Sequence, residues 1–209
     1  TDGKIVVGGG YYAGNNFGFA AVSYNANGTL DTTFGSGGKT TTIVSNPGTG
    51  KGSSIDYTAK LALQSDGKIV MAGNSQTGIS YAGADWIIVR YDANGSLDAT
   101  FGTAGKVTTD IGGSYEKPYG LVIQTDGKIV AAGGSGTSGS NMHSVLARYN
   151  ADGSLDSNFG TGGKVGTSIG SSFDMFTNVA IQSDGNIVAV GGASNDGINW
   201  LASIARYWP

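Results

Sequence analysis

Asp2-Gly3-Lys4-Ile5-Val6 returns as Asp66-Gly67-Lys68-Ile69-Val70, as Asp126-Gly127-Lys128-Ile129-Val130 and as Asp184-Gly185-Asn186-Ile187-Val188. The steps between copies are 64, 60 and 58 residues. Tyr24, Tyr91, Tyr149 and Tyr207 keep nearly the same step, at 67, 58 and 58. A fixed period of this size marks one supersecondary unit copied in tandem, each copy burying its apolar surface against the next. What repeats builds the fold, and what varies between copies is where binding would lie.

Each full copy holds four short apolar runs, which in the second copy are Ala59–Gln64, Lys68–Gly73, Trp86–Tyr91 and Lys106–Asp110. Val, Ile, Ala and Tyr between Gly, Asn and Asp boundaries read as strands, and no segment carries a helical period over ten residues. Asp66-Gly67 suits a tight hairpin, as do Asn27-Gly28, Asn94-Gly95 and Asp152-Gly153 after the Tyr strands. The run Trp86-Ile87-Ile88-Val89-Arg90-Tyr91 is apolar on both faces except at Arg90, so it lies between stacked sheets. Four antiparallel strands per unit, with units stacked face to face, predict an all-β chain: a β-propeller or a segment of one, with 14 strands. The divisions fall at a partial blade 1–58, blades 59–118 and 119–176, and a partial blade 177–209. The first and last units come out one strand short. That leaves three arrangements: a longer tandem array, a ring with an incomplete seam, or closure by a second chain, with open edges prone to self-association.

Composition narrows the function classes. Of 209 residues 39% are hydrophobic and 13% charged, so the chain is neither disordered nor membrane-spanning. The net charge of −3 and the scattered Lys and Arg argue against a nucleic-acid partner. Absence of cysteine removes disulfides, thiolate metal sites and a cysteine nucleophile.

Gln124 to Gly133 and Arg148 to Val165 resemble the bacterial delta-60 tandem repeat, and the resemblance runs over essentially the whole chain. Ser23 departs from it where Arg90, Arg148 and Arg206 stand in the other copies, and Asn186 departs where the others have Lys. The resemblance implies a β-propeller in a large secreted or surface protein of bacteria. It supplies no catalytic residue.

The segments Asn25–Asp31, Asp92–Asp98 and Asn150–Asp156 alternate oxygen-bearing side chains around a glycine. They are weak calcium candidates through Asp92, Asn94, Asp98, Asp152 and Asp156, but their carboxylate count is low and the closing Glu of a calcium loop is absent. The alternative is an Asx turn. An Arg in each apolar Tyr strand, with an Asp eight residues on at Asp98 and Asp156, predicts a buried structural pair. A ring of arginines around a central channel is the rival reading. The Gly8-Gly9-Gly10, Gly133-Gly134 and Gly191-Gly192 runs have no helix behind them and so do not form a phosphate site.

The variable loops carry the functional expectation. Between the second and third strands they hold Tyr11, Tyr12, Asn16, Tyr81, Asp85 and Trp86, His143, and Asn199 and Trp200. These form the candidate ligand site, since aromatic rings among Asn, Asp and Gly suit sugars or protein surfaces. The loops Val44–Thr58, Ile111–Tyr119 and Ile169–Asn178 join one unit to the next. The expected protein is therefore a non-catalytic scaffold or recognition module, secreted or on the cell surface, that binds a protein or glycan and needs no cofactor. Two alternatives stand beside it. One is a lectin-like adhesin. The other is a glycoside hydrolase in which two of Asp56, Asp110, Glu116, Asp174 and Asp196 converge.

Overall fold

The computed structural model describes residues 3–13, 16–44, 60–75, 83–138 and 140–209, with side chains 12, 13, 16 and 17 left aside. In chain order the strands are β1 (Ile5–Ala13), β2 (Asn16–Tyr24), β3 (Lys39–Ile43), β4 (Lys60–Leu63), β5 (Ile69–Ser75), β6 (Asp85–Tyr91) and β7 (Lys106–Thr109). They continue as β8 (Tyr115–Ile123), β9 (Ile129–Ser138), β10 (Asn141–Tyr149), β11 (Lys164–Thr167), β12 (Phe173–Ile181), β13 (Ile187–Ser194) and β14 (Leu201–Tyr207). Four antiparallel sheets result, ordered β1-β2-β3, β4-β5-β6-β7, β8-β9-β10-β11 and β12-β13-β14. The all-β propeller architecture and its 14 strands are as the repeat predicts. Among the described residues no helix is long and apolar enough to cross a membrane.

Residues alternate across a strand, so each sheet has two apolar faces, and three cores fill the three seams. Phe19, Phe34, Met71 and Tyr91 lie between the first and second sheets. Trp86, Ile88, Phe101 and Tyr149 lie between the second and third. Leu146, Phe159, Phe176 and Ile187 lie between the third and fourth. The turn glycines make this stacking possible. A β-carbon at Gly95 would stand 2.9 Å from the Phe34 ring, and one at Gly153 2.9 Å from the Phe101 ring. Both glycines also hold a positive φ, of 86° and 91°.

The repeat signatures meet at one buried carboxylate. Arg90 Nε donates to Asp98 Oδ2 at 2.7 Å, and Arg148 Nε to Asp156 Oδ2 at 2.9 Å. Lys68 Nζ reaches the same oxygen of Asp98 at 3.0 Å, and the Thr100 amide and hydroxyl donate to Oδ1. The guanidinium groups lie over Phe101 and Phe159, at 4.6 and 4.5 Å from the ring centres. Burial pushes the Asp98 carboxyl up. The bonds from Thr100 and Lys68 and the charge of Arg90 outweigh that and hold it well below the usual range. In the first repeat Ser23 Oγ donates to Asp31, and Lys4 Nζ sits 2.8 Å from it, in the place that Lys68 takes beside Asp98. These bonds bear out the structural reading of Arg90 and Arg148. Arg206 departs from it: it is exposed on the last sheet, with its guanidinium over Trp208 at 5.6 Å.

The joints between sheets shift from the expected divisions. β8 begins at Tyr115 and β12 at Phe173, so positions 118 and 176 fall inside strands. The Tyr-Glu-Lys-Pro-Tyr run, expected within the loop Ile111–Tyr119, belongs to β8 instead, with Pro118 at a register shift, where a strand tolerates a residue without an amide hydrogen.

Replacing Arg148 by Met strands the buried Asp156 charge. It should lower unfolding free energy in denaturant titration by about 3–5 kcal/mol. The double replacement Arg148→Met with Asp156→Asn should lose less than Arg148→Met alone. A single-variant loss of about 1 kcal/mol or less would make this an ordinary surface pair.

Candidate functional site at the variable-loop end

A meander places alternate connections at opposite ends of its sheet. The Asp-Gly turns and the loops after each Tyr strand share one end. The hairpins β1–β2, β5–β6, β9–β10 and β13–β14 share the other, together with the sheet-to-sheet joints. Among the described residues, the loops that vary between repeats therefore open at one end of the molecule.

At that end a groove of about 420 Å³ runs between the third and fourth sheets. Tyr115, Tyr119, Phe173 and Trp200 line it with Met142, Met175, Ser140 and Gly197. Tyr115 and Phe173 open β8 and β12 at the same repeat position, and alternation places Met175 beside Phe173. The β13–β14 hairpin presents Trp200. Asp196 accepts the amides of Ile198 at 2.9 Å and Asn199 at 2.8 Å, and the Asn199 side chain at 2.6 Å. The indole meets Phe173 edge-on at 4.8 Å and stays 52% exposed. A β-carbon at Gly192 would come within 3.0 Å of this ring, so the glycine makes room for it. Lys117 is buried next along β8 with its ammonium 4.5 Å from the Tyr115 ring centre, and burial lowers its pKa to about 8. Two larger clefts, of about 760 and 670 Å³, are lined by repeat residues of the opposite end and contain no aromatic ring.

Beside the groove, between the second and third sheets, carboxylate oxygens of Asp85, Asp110 and Glu116 lie within 4.8 Å of one another. Glu116 is buried and closes the joint, accepting the Ile111 amide at 2.9 Å and the Gly113 amide at 2.7 Å. Asp174 does the same one repeat on, accepting Ile169 at 3.2 Å and Ser144 at 2.6 Å. Burial raises the pKa of Asp85, and the charge of Asp110 adds to it. Burial also raises that of Glu116 against the pull of its amide bonds. His143 occupies the place of Asp85 in the next repeat, with Nδ1 at 3.6 Å from Asp174 Oδ2. A cluster of this kind offers hard oxygen ligands for a divalent cation, or an acid and a base.

The structure distributes the expected site residues unevenly. Trp200 lines the groove, and Asn199 fixes the hairpin that carries it. Asp85 and His143 sit at equivalent joints. Trp86 requires correction: it is fully buried in the second seam, facing away from solvent as strand alternation dictates. Tyr11 lies on β1 opposite Gly18, away from the groove-forming sheets. Tyr12 and Asn16 belong to β1 and β2, and Tyr81 lies outside the described residues. The oxygen-bearing turn residues stand at the opposite end. Asn94 Oδ1 takes the Ser96 amide and hydroxyl at 3.0 and 2.6 Å, and Asp152 Oδ1 takes those of Ser154 at 2.9 and 2.6 Å. Asp92 holds Lys68 at 2.6 Å, so a calcium ion there would compete with protein cations. Met142 and Met175 escape sequence reasoning because neither belongs to an aromatic or polar pattern.

A family model described as a domain of unknown function (DUF5122) beta-propeller matches residues 1–34, 64–101 and 124–159. No curated protein matches the sequence. Among solved structures, one similar chain is the alpha-L-arabinanase of Cellvibrio cellulosa complexed with arabinohexaose. It is 14% identical, with all of this chain and 72% of that chain covered and a TM-score of 0.46. Another is the xylan beta-1,4-xylosidase of Bacillus halodurans C-125, 14% identical, with all of this chain but 40% of that chain covered and a TM-score of 0.44. Both are enzymes, and the expectation that this protein is not one is withdrawn on that finding.

The Lys117 pKa is lowered in the fold, from 10.5 to about 8, so the unfolded chain binds more protons between these values. Stability should therefore gain from this group as pH rises from about 8 to 10.5. Thermal unfolding of Lys117→Met beside the parent should lack that increment. Parallel pH profiles would refute it.

Proposed function

The chain belongs to the DUF5122 β-propeller family, and from that premise we propose that it recognises carbohydrate in the aromatic groove between its third and fourth sheets. The observation that carries this reading is the convergence of Tyr115 and Tyr119 from β8, Phe173 from β12 and Trp200 from the β13–β14 hairpin onto one concavity. A pyranose ring has apolar C–H faces that stack on aromatic rings, while its hydroxyls need polar partners at the rim. The Ser140 hydroxyl and the polar β13–β14 hairpin supply such groups. The volume falls in the range of small-ligand sites, roughly 300–1,000 Å³. The delta-60-like motifs support placement in a secreted or cell-surface protein of bacteria.

A second reading, glycoside hydrolysis, has its own support in the three clustered carboxylates. Retaining hydrolysis uses two carboxyl groups about 5–5.5 Å apart, one of them with a raised pKa. Carboxylate oxygens of Asp85 and Asp110 lie within 4.8 Å of one another, and burial raises the Asp85 pKa. Glu116 has its oxygens taken by backbone amides and serves to hold the joint.

Glycan-array screening followed by titration calorimetry tests the first reading. Trp200→Ala should weaken the best glycan about tenfold, the loss of roughly 1.4 kcal/mol of stacking. Undiminished binding by that variant would sink the groove assignment. For the second reading, release of reducing ends from an arabinan or xylan should disappear in Asp85→Asn while binding persists. Unchanged turnover would remove Asp85 from the chemistry.

A further inference from the structure

The chain has no cysteine, so its sulfur chemistry rests on three methionines, Met71, Met142 and Met175. Met71 is 0% and Met142 1% exposed, so solvent reaches neither. Met175 alone is partly exposed. It lines the aromatic groove in the third seam, between two sheets that are both present. Its base lies against the third sheet. A β-carbon at Gly134 of β9 would stand 3.1 Å from Met175 Cβ and 2.7 Å from Met142 Cε. The bare backbone at Gly134 therefore lets two methionines meet beside the rings of Tyr115, Phe173 and Trp200.

The scaffold does not require methionine at this position. Met175 pairs with Gly192 in the fourth sheet as Lys117 pairs with Gly134 in the third, so a lysine occupies the equivalent place one repeat earlier. Both side chains are long and unbranched, but only the thioether is apolar and oxidisable. Its sulfur lone pair attacks one oxygen of hydrogen peroxide. An S–O bond forms, the O–O bond breaks, and the second oxygen takes both peroxide protons and leaves as water. The product is a sulfoxide, polar and chiral where the thioether was apolar and adaptable. Within a concavity walled by aromatic rings, that oxygen is an acceptor in need of a donor.

We propose that Met175 is a site of reversible oxidation by peroxide, and that its sulfoxide weakens ligand binding in the groove. The site of oxidation stands on exposure and sulfur chemistry. The effect on binding rests on the carbohydrate reading of the same groove. Methionine sulfoxide reductases return the sulfoxide to the thioether, so the change is reversible.

Treatment of the folded 209-residue chain with hydrogen peroxide, followed by tryptic mapping and tandem mass spectrometry, tests the site. Each methionine falls in its own tryptic peptide, flanked by Lys68 and Arg90, Lys128 and Arg148, or Lys164 and Arg206. Met175 should gain an oxygen before Met71 or Met142 does. In NMR spectra the indole N–H signal of Trp200, which borders the same groove, should move on oxidation, while that of Trp86 in the second seam should stay. On a glycan array, the glycan best bound by the untreated chain should lose about tenfold in affinity, the scale of one unmatched polar group. Reductase treatment should restore it, and Met175→Leu should bind equally before and after peroxide. Oxidation of Met71 or Met142 as fast as Met175 would overturn the site, and an unmoved Trp200 signal would overturn its link to the groove. Oxidised parent that binds glycan as tightly as untreated parent would overturn the control of binding and leave the carbohydrate reading standing. If the untreated chain binds no glycan, the binding half falls with the carbohydrate reading, and the mapping and NMR results alone decide the oxidation site.

Discussion

A buried carboxylate in each of the first three repeats holds the architecture in register. Asp31, Asp98 and Asp156 are each nearly inaccessible, and each has a cation against it; at Asp31 and Asp98 the surrounding hydrogen bonds and cations outweigh burial and hold the carboxyl below its usual range. The acid ties together parts of the chain that are distant along one unit. Lys68 comes from the turn between β4 and β5, Arg90 from the middle of β6, and Thr100 from the loop beyond it. Burying such a cluster costs desolvation, so its net gain over an apolar core is modest, but losing one member leaves an unpaired charge. That asymmetry explains why the first repeat, with Ser23 in place of arginine, still keeps Lys4 on Asp31.

The same cluster accounts for the division of labour between the two ends of the molecule. Its members lie toward the turn end, where positive-φ glycines and phenylalanine rings interlock successive sheets. That end has little freedom, since a change at Gly95 or Gly153 collides with the neighbouring sheet. The opposite end carries hairpins and joints whose side chains vary from copy to copy. The aromatic groove and the acidic cluster both arise where the scaffold permits variation.

Much of this was legible in the sequence. The period exposes the unit, the Asp-Gly pairs expose the turns, and an isolated Arg within Trp86–Tyr91 demands a buried acceptor that Asp98 supplies. The contents of the site were less legible, for identifiable reasons. Trp86 follows the variable β5–β6 hairpin in sequence, but the strand has already begun and its alternation turns the indole inward. Tyr115 and Phe173 stand among loop-forming residues, yet they open strands, and only the packing of sheet on sheet brings them opposite Trp200. The convergence of Asp110 with Glu116 required knowing that the joint folds back on itself, which the Ile111 and Gly113 amides accomplish.

That fold-back also separates two roles that sequence alone cannot tell apart. Glu116 and Asp174 hold the same place and do the same work, taking the first amide of the joint, at Ile111 and Ile169. The neighbouring place is chemically free: Asp85 fills it in one repeat and His143 in the next. With an aspartate there, burial and then the charge of Asp110 raise the Asp85 pKa, which suits proton transfer or cation capture. With a histidine there, the same geometry sets an imidazole nitrogen 3.6 Å from a buried carboxylate. One structural carboxylate per joint therefore leaves its neighbour to define the local chemistry, so adjacent seams of a single repeated fold can present different surfaces to a ligand at the same end.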